Sequence, residues 1–313
     1  MSNIEKKYEL INTISTNEGR LYRIRALRDI TIANGDTIEK GTSGGYVESE
    51  ENLSQTDNSW IYAGSSVKDG AKVYGNSIIG SGNTVSGAKI FNTFIGNNVD
   101  ISGDTAIFNS NITADNNSSK LIIKDNARLY SVKIKGYGII KDNVLIQKSK
   151  LSKIINLSDN VKISNSNIYS AIASDYAYIV NSEIINSTIM HNAVVMDSKV
   201  HKGTVIQDNA IVDRSTVSHI FVSNNTRVIN SIINWAYEGY EGDYWDNIVL
   251  SDNAIVMDSV IEGFSVASSM TDMPEWAKPY LYIEGDTMLM SSHIDVRNNI
   301  YTESPIQEDT NAN

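Results

Sequence analysis

A ten-residue pattern of aliphatic and polar positions repeats along most of this chain, and its copies begin 16 or 17 residues apart with two exceptions. DNVKISNSNI, from Asp159, and DNAIVDRSTV, from Asp208, show the pattern plainly. The copies begin at Asp69, Ser86, Gly103, Asp125, Asp142, Asp159, Asp175, His191, Asp208, Asn224 and Asp252. A fixed short period over most of a chain predicts a solenoid.

Three aliphatic ladders predict three inward-facing strands in each coil of about 17 residues. Position 5 of the copy is aliphatic throughout: Val73, Ile90, Ile107, Leu129, Ile146, Ile163, Ile179, Val195, Val212, Val228 and Val256. Position 10 forms the second ladder: Ile95, Ile112, Ile134, Leu151, Ile168, Ile184, Val200, Val217, Ile233 and Ile261. The third ladder lies two residues before each copy: Ile101, Ile123, Ile140, Leu157, Ala173, Ile189, Ile206, Val222 and Leu250. The predicted fold class is all-β, a single-stranded triangular parallel β-helix.

The polar positions of the copy are interpreted as scaffold. Asn, Asp and Gly recur at positions 1 and 2, where the chain must turn, because these residues tolerate left-handed backbone angles best. Position 8 is usually Ser or Thr, which we interpret as interior packing with hydrogen bonds to the backbone. The corners lack the Gly-Gly-x-Gly-x-Asp nonapeptide of calcium-binding β-helices, so no metal site is predicted.

The N-terminal quarter of the chain carries a family resemblance. LYRIRALRDI, GTSGGYVESEENLS and SWIY followed by VKDGAKVYGNS resemble the YdcK-like family of bacterial and phage proteins. The resemblance covers roughly residues 7–80 and implies a left-handed, hexapeptide-type β-helix of a kind often labelled a transferase. It also implies trimers, in which such prisms pack side by side. The six-residue spacing of Ile61, Val67, Val73, Ile79 and Val85 agrees with a hexapeptide ladder.

The pattern divides the chain into four predicted parts. Residues 1–58 are a β-rich N-terminal cap, 59–261 are the solenoid, 262–301 are a C-terminal cap, and 302–313 are a flexible tail. Within the solenoid, late copies predict loops at 113–119 and 234–247. In the C-terminal cap, TDMPEWA begins like a helix, and LYIEGDTMLM is expected to form a hairpin around Glu284–Asp286.

Charge and composition limit the partners. The net charge of −11 argues against nucleic acid and anionic membrane, and the chain contains no cysteine. The sequence has no apolar signal core and no apolar run of about 18 residues. We therefore expect a cytoplasmic protein, or a virion-associated one if it is phage-encoded.

Two histidines are candidates for chemistry. His201 and His219 each follow a position-10 residue by one or two places and are 18 residues apart, so they could stack on one edge of the solenoid. A corner histidine would be the general base of a hexapeptide acyltransferase, which would use an acyl-CoA. Catalysis, non-catalytic binding and a merely solvated edge stay open for this pair. His191, at position 1, is interpreted as a solvated corner residue.

The loop at 234–247 concentrates aromatic and acidic residues. The predicted binding residues are Trp235, Tyr237, Glu238, Tyr240, Glu241, Asp243, Tyr244 and Trp245. Loops on a rigid scaffold often carry function, and Trp and Tyr are favoured anchors of binding surfaces. The loop is expected either to recognise a partner, cationic or hydrogen-bonding in character, or to hold a homo-oligomer together. The sequence therefore favours a non-enzymatic binding or scaffold protein without a cofactor, with the acyltransferase as the alternative.

Overall fold

The computed structural model describes residues 6–16, 19–33, 35–114, 119–201, 203–238, 248–266, 281–295 and 300–302. These residues form short β-strands and one 3-10 turn, Glu50–Asn52, and contain no α-helix. No helix in this part of the chain is long and apolar enough to cross a membrane. The chain divides into two compact units, residues 1–160 and 161–313, and each is described by itself.

The described residues of unit 1 form twenty strands. They are β1 (Tyr8–Thr16), β2 (Gly19–Ala26), β3 (Ile30–Thr31), β4 (Thr37–Ile38), β5 (Ser43–Val47), β6 (Trp60–Ile61), β7 (Ser66–Lys68), β8 (Lys72–Tyr74), β9 (Ile78–Ile79), β10 (Thr84–Ser86), β11 (Lys89–Phe91), β12 (Phe94–Ile95), β13 (Val99–Ile101), β14 (Ala106–Phe108), β15 (Asn111–Thr113), β16 (Leu121–Ile123), β17 (Arg128–Tyr130), β18 (Lys133–Ile140), β19 (Leu145–Gln147) and β20 (Lys153–Leu157).

Unit 2 begins with the coil that contains Ile163. Its described strands are β21 (Lys162–Ser164), β22 (Asn167–Ile168), β23 (Ala171–Ala173), β24 (Tyr178–Val180), β25 (Glu183–Ile184), β26 (Ser187–Ile189), β27 (Val194–Met196), β28 (Lys199–Val200), β29 (Val205–Ile206), β30 (Ile211–Asp213), β31 (Thr216–Ser218), β32 (Ile220–Val222), β33 (Arg227–Ile229), β34 (Ile232–Glu238), β35 (Ile248–Leu250), β36 (Ile255–Met257), β37 (Val260–Val266), β38 (Leu281–Ile283), β39 (Met288–Met290), β40 (His293–Asp295) and β41 (Ile300–Thr302).

From β5 onward, the strands of unit 1 stack in parallel on three sides, which are the three sides of each coil. Side 1, with position 5, stacks β8, β11, β14, β17 and β19. Side 2, with position 10, stacks β6, β9, β12, β15 and the start of β18. Side 3, with the third ladder, stacks β5, β7, β10, β13, β16, the end of β18, and β20.

Unit 2 repeats the same three-sided arrangement. Side 1 stacks β21, β24, β27, β30, β33, β36 and β39. Side 2 stacks β22, β25, β28, β31, β34, β37 and β40, and β41 pairs antiparallel with β40. Side 3 stacks β23, β26, β29, β32, β35 and β38. The chain is therefore a parallel β-helix solenoid, as the periodicity predicts.

The interior of each unit is built from the predicted ladders. Every ladder residue is buried, and the most exposed, Ile168, is only 3% accessible. Fully burying one such side chain contributes roughly 1.5–3 kcal/mol. Because side chains alternate along a strand, this burial also fixes which neighbours point outward.

The coils turn through two corners of left-handed backbone. Position 1 has positive φ in most coils, for example 64° at Asp159 and 61° at Asp208. Position 7 does the same and is usually Asn or Asp, but Lys148 (52°) and Arg214 (49°) adopt these angles although neither residue type favours them. The coil geometry therefore overrides local preference at these two residues.

The N-terminal segment forms an antiparallel meander that continues side 3 of unit 1. β1 pairs with β2, and β2 pairs with β5, which in turn lies parallel to β7 of the first coil. This arrangement covers the first edge of side 3 with paired strands. An uncovered sheet edge would expose backbone donors and acceptors to other chains.

The prediction of a hairpin around Glu284–Asp286 is wrong. β38 instead pairs in parallel with β35, and β39 pairs in parallel with β36, so residues 281–295 form a further coil. GDTMLMSSHI, from Gly285, is one more copy of the repeat, with Gly285 in the left-handed position 1. The helix expected at TDMPEWA lies outside the described residues.

Candidate functional site

The repeated polar residues of unit 2 belong to the scaffold. At position 8, each serine accepts a hydrogen bond from the backbone N–H of the next serine and donates to a carbonyl of its own coil. Ser231 N lies 3.1 Å from Ser215 Oγ, and Ser215 Oγ lies 2.7 Å from Asp213 O. The serines are not a row of nucleophiles, because the hydroxyls are buried and bonded to the backbone.

Position 1 forms a second polar column. Asp175 Oδ2 accepts from His191 N at 3.3 Å, and Asp208 Oδ2 accepts from Asn224 N at 3.1 Å. His191 takes part in the same way, since its Nδ1 lies 3.3 Å from Asp208 N. Its Nδ1 also lies 3.0 Å from Asp208 Oδ1, so protonated His191 would form an ion pair there. The structure gives His191 a place in the corner column of the scaffold.

Polar residues that do not recur from coil to coil lie at the edge between sides 2 and 3 of unit 2. His219 ends the turn after β31 with φ of 54°, and its Nδ1 lies 2.8 Å from Ser218 Oγ. The ring passes over Gly203, where an added Cβ would lie 2.9 Å from His219 Cδ2. Glycine at 203 therefore makes room for the imidazole.

His201 and His219 do not share a column. Lys199 pairs with Thr216 and Val200 with Val217, and His201 N donates to Val217 O at 2.9 Å. The register therefore places His201 opposite Ser218, while His219 lies over Gly203. Both histidines lie at this edge, but the expected one-above-the-other stack does not form.

The 234–247 segment begins as a strand. In the preceding coil the chain turns at His219, but β34 continues from Ile232 to Glu238. It pairs with β37 over seven residues, from Ile232 with Val260 to Glu238 with Val266. Three of the predicted binding residues are thereby placed on a paired two-stranded ribbon: Trp235, Tyr237 and Glu238. The others lie outside the described residues: Tyr240, Glu241, Asp243, Tyr244 and Trp245.

Polar residues also follow one another along side 2 at the base of this ribbon. Ser218 pairs with Asn234, and Asn234 pairs with Glu262. Glu262 Oε2 lies 3.7 Å from His293 Nε2 in the last described coil. In the described part of the chain, no three His, Cys, Asp or Glu side chains group closely enough to hold a metal ion.

Comparison with known proteins adds a weak structural likeness. No protein-family model and no curated protein matches the chain. A solved structure titled "putative acetyltransferase from Desulfovibrio desulfuricans G20" is similar at 13% sequence identity over 77% of this chain and 67% of that chain, with a TM-score of 0.20. A TM-score this low carries no argument about activity.

Proposed function

We propose that the chain is a non-enzymatic binding protein whose solenoid presents a recognition element at the edge between sides 2 and 3 of unit 2. The observation that carries the proposal is the ribbon formed by β34 and β37. Other coils contribute two or three residues to side 2 here, whereas these two strands pair over seven. A paired ribbon gives the inserted segment a rigid base, and rigid presentation lowers the entropic cost of binding.

The composition of the segment indicates the partner. Residues 234–247 contain two Trp, three Tyr and four carboxylates, namely Glu238, Glu241, Asp243 and Asp246. Aromatic rings supply contact area, and the carboxylates favour a cationic or hydrogen-bonding protein surface over a phosphate ligand. The competing role for the same residues is to hold a homo-oligomer together, with a trimer favoured by the family resemblance.

The test separates the ribbon from the residues it carries. In one variant, residues 239–246 are replaced by a short Gly/Ser turn, which leaves both strands intact. The matched control replaces 115–118 of the other insertion in the same way. A partner identified with the wild-type protein should lose at least tenfold in affinity for the first variant and bind the control normally.

Assembly is measured in parallel by light scattering. If partner binding and assembly both persist in the 239–246 variant, the segment contributes to neither and the proposal fails. If assembly alone is lost, the segment is an oligomer contact. The melting curve should change little, because each coil depends on its neighbours and the ribbon is retained.

The acyltransferase is the second candidate, and the contact between Ser218 and His219 favours it. An imidazole within 2.8 Å of a hydroxyl has the geometry of a general base beside its proton donor. An acyl-CoA would be the acyl donor under this proposal. A melting-temperature increase with acetyl-CoA, abolished in a His201→Ala/His219→Ala double variant, would support it. Unchanged melting with acetyl-CoA would remove it.

A further inference from the structure

Tyr176 departs from the repeat at a position where every other copy has Gly, Asp or Asn. This is position 2, and in unit 2 its asparagines form a ladder of side-chain hydrogen bonds from Asn192 to Asn209 and onward at 3.0 Å. Tyr176 is 64% exposed, more than any other large hydrophobic side chain in the described residues. An exposed ring in place of a ladder residue adds nothing obvious to the scaffold.

Outward-facing apolar residues follow Tyr176 on side 1 of unit 2. Tyr178 is 40% exposed, and its outward neighbours on the next two coils are Val194 and Ile211. The adjoining outward positions are Val180 and Met196, which pair with each other. We call this set the tyrosine patch: Tyr176, Tyr178, Val180, Val194, Met196 and Ile211.

A charged residue lies at each end of the outward-facing column that contains Tyr178. Lys162 pairs with Tyr178 at one end, and Arg227 pairs with Ile211 at the other. The apolar column is therefore three coils long, about 10 Å between its end residues at ~4.8 Å per coil. An extended chain of three or four residues, or two helical turns, spans the same distance.

Carboxylates border the patch at the corner between sides 3 and 1. Asp175 precedes Tyr176, and Asp208 occupies the same column two coils away, with His191 between them. Both carboxylates are held by the scaffold, Asp175 by Ser174 Oγ at 2.9 Å and Asp208 by Asn224 N at 3.1 Å. Two fixed negative charges about 10 Å apart thus lie beside an apolar surface.

The backbone under the patch is rigid. Tyr176 N donates to His191 O at 2.9 Å, and Tyr178 N donates to Ala193 O at 3.0 Å. The aromatic column on side 1 of unit 1 differs in kind. There, Tyr74, Phe91, Phe108 and Tyr130 follow one another at centroid distances of 4.9, 6.3 and 5.4 Å, and these ring contacts give them a structural role. Tyr178 instead has Lys162 and Val194 as its column neighbours.

We propose that the tyrosine patch, with Asp175 and Asp208, docks a short basic segment of another protein that also carries apolar side chains. Lysine or arginine would face the two carboxylates and the tyrosine rings, and the apolar side chains would cover Val194 and Ile211. Lys162 and Arg227 would repel cations at either end, which fixes the register of the segment.

A second copy of the chain fits this surface less well. Three coils and three columns of side chains cover about 300 Å², whereas a stable dimer buries about 800 Å² on each partner. The net charge of −11 also opposes the approach of another copy. A short cationic segment is small enough for this area, and the negative charge of the protein attracts it.

The experiment measures binding of three synthetic peptides by fluorescence anisotropy: one of lysine and leucine, one of lysine and serine, and one of glutamate and leucine. The wild-type protein is compared with Tyr176→Asn, which restores the residue type of the ladder, and with Asp175→Asn/Asp208→Asn, which keeps the hydrogen-bond acceptors. The matched control is Asp125→Asn/Asp142→Asn, the same column position and the same charge change in unit 1.

Binding should be strongest for the lysine–leucine peptide. Tyr176→Asn should weaken it about tenfold without lowering the melting temperature. Asp175→Asn/Asp208→Asn should weaken it and reduce its salt dependence, and the unit 1 control should not. Equal losses in both aspartate pairs, or no loss with Tyr176→Asn, would show attraction to the net charge only and overturn the proposal. Concentration-dependent dimerisation abolished by Tyr176→Asn would also overturn it, in favour of a second copy.

Discussion

The ammonium nitrogen of Lys7 lies 3.3 Å from Oδ1 of Asp57, and the Lys7 side chain is fully buried. The same nitrogen donates to Ser59 O at 2.7 Å, so the first strand is anchored to the loop before the first coil. Burial lowers the pKa of Lys7 to about 8, and the charge of Asp57 offsets only part of that effect. For Asp57, burial acts to raise the pKa, but hydrogen bonds from Ser59 and Ser54 and the charge of Lys7 together hold the pKa below its ordinary value.

This contact predicts a pH dependence at alkaline pH. The folded pKa of Lys7 is about 8, against 10.5 ordinarily, so between these values the unfolded chain holds a proton that the folded chain has released. The free energy of unfolding should therefore rise with pH across this window, by on the order of 3 kcal/mol. Urea unfolding of the wild type and Lys7→Met at pH 7 to 10 measures this contribution as their difference. Lys6→Met, at an exposed neighbour, is the control, and a pH-independent difference would contradict the prediction.

Removing one hydroxyl from the serine column should destabilise unit 2. Ser215→Ala leaves Ser231 N–H, 3.1 Å away, without that acceptor in a buried position. The expected loss is about 1–3 kcal/mol in the free energy of unfolding. Ser164→Ala, at an outward position of β21, should be nearly neutral in the same denaturation experiment. Equal effects from both substitutions would show that the column is not a source of stability.

A charge in the position-5 ladder should disrupt the coils around it. Ile163→Asp and Val212→Asp each place a carboxylate where the native side chain is fully buried, at a cost of several kcal/mol. Hydrogen exchange should show the loss of protection centred on the adjacent coils, because coils interact with their nearest neighbours. Lys162→Asp, at the exposed position beside Ile163, should leave the melting curve almost unchanged. An unaffected melting curve for Ile163→Asp would mean that the register is wrong.

Gly138 should not tolerate a side chain. Its φ is 123°, and an added Cβ would lie 2.1 Å from Ile155 O in the adjacent strand. Gly138→Ala therefore requires a backbone shift, and we expect a loss of roughly 2–3 kcal/mol or more. Gly70 has φ of 71° but no heavy atom within 4 Å of an added Cβ, so Gly70→Ala should cost only about 1 kcal/mol. Thermal denaturation of both variants checks the difference.

The core could be predicted from sequence because burial has a strict period. A slip of one residue would turn Val212 outward and Ile211 inward, so the aliphatic spacing permits a single register. The corner at position 7 was harder to recognise from the sequence, because Lys148 and Arg214 have no preference for turns. The copy from Gly285 was missed because a long stretch without the repeat precedes it.

The candidate site was less accessible to sequence reasoning. His201 and His219 are 18 residues apart, but Val200 and Val205 are one residue further apart in sequence than their partners Val217 and Phe221, so the register offsets the two histidines. Pairing of β34 with β37 beyond the ladder residues Ile233 and Ile261 joins residues 28 apart that carry no shared motif. The anchor of Lys7 likewise joins residues 50 apart in sequence. Local pattern therefore predicts the coils, while contacts between irregular segments need the structure.

The asparagine ladder of unit 2 has a direction. Asn192, Asn209 and Asn225 each donate from Nδ2 to Oδ1 of the next coil, and Asn253 donates to Asp286 at 2.8 Å. An ionised carboxylate can only accept, so Asp286 requires the amide of Asn253 to present its nitrogen, and each preceding amide must then orient alike. One carboxylate in the last described coil thereby fixes the orientation of four side-chain amides, so the hydrogen bonds of the ladder all run in the same direction across five coils.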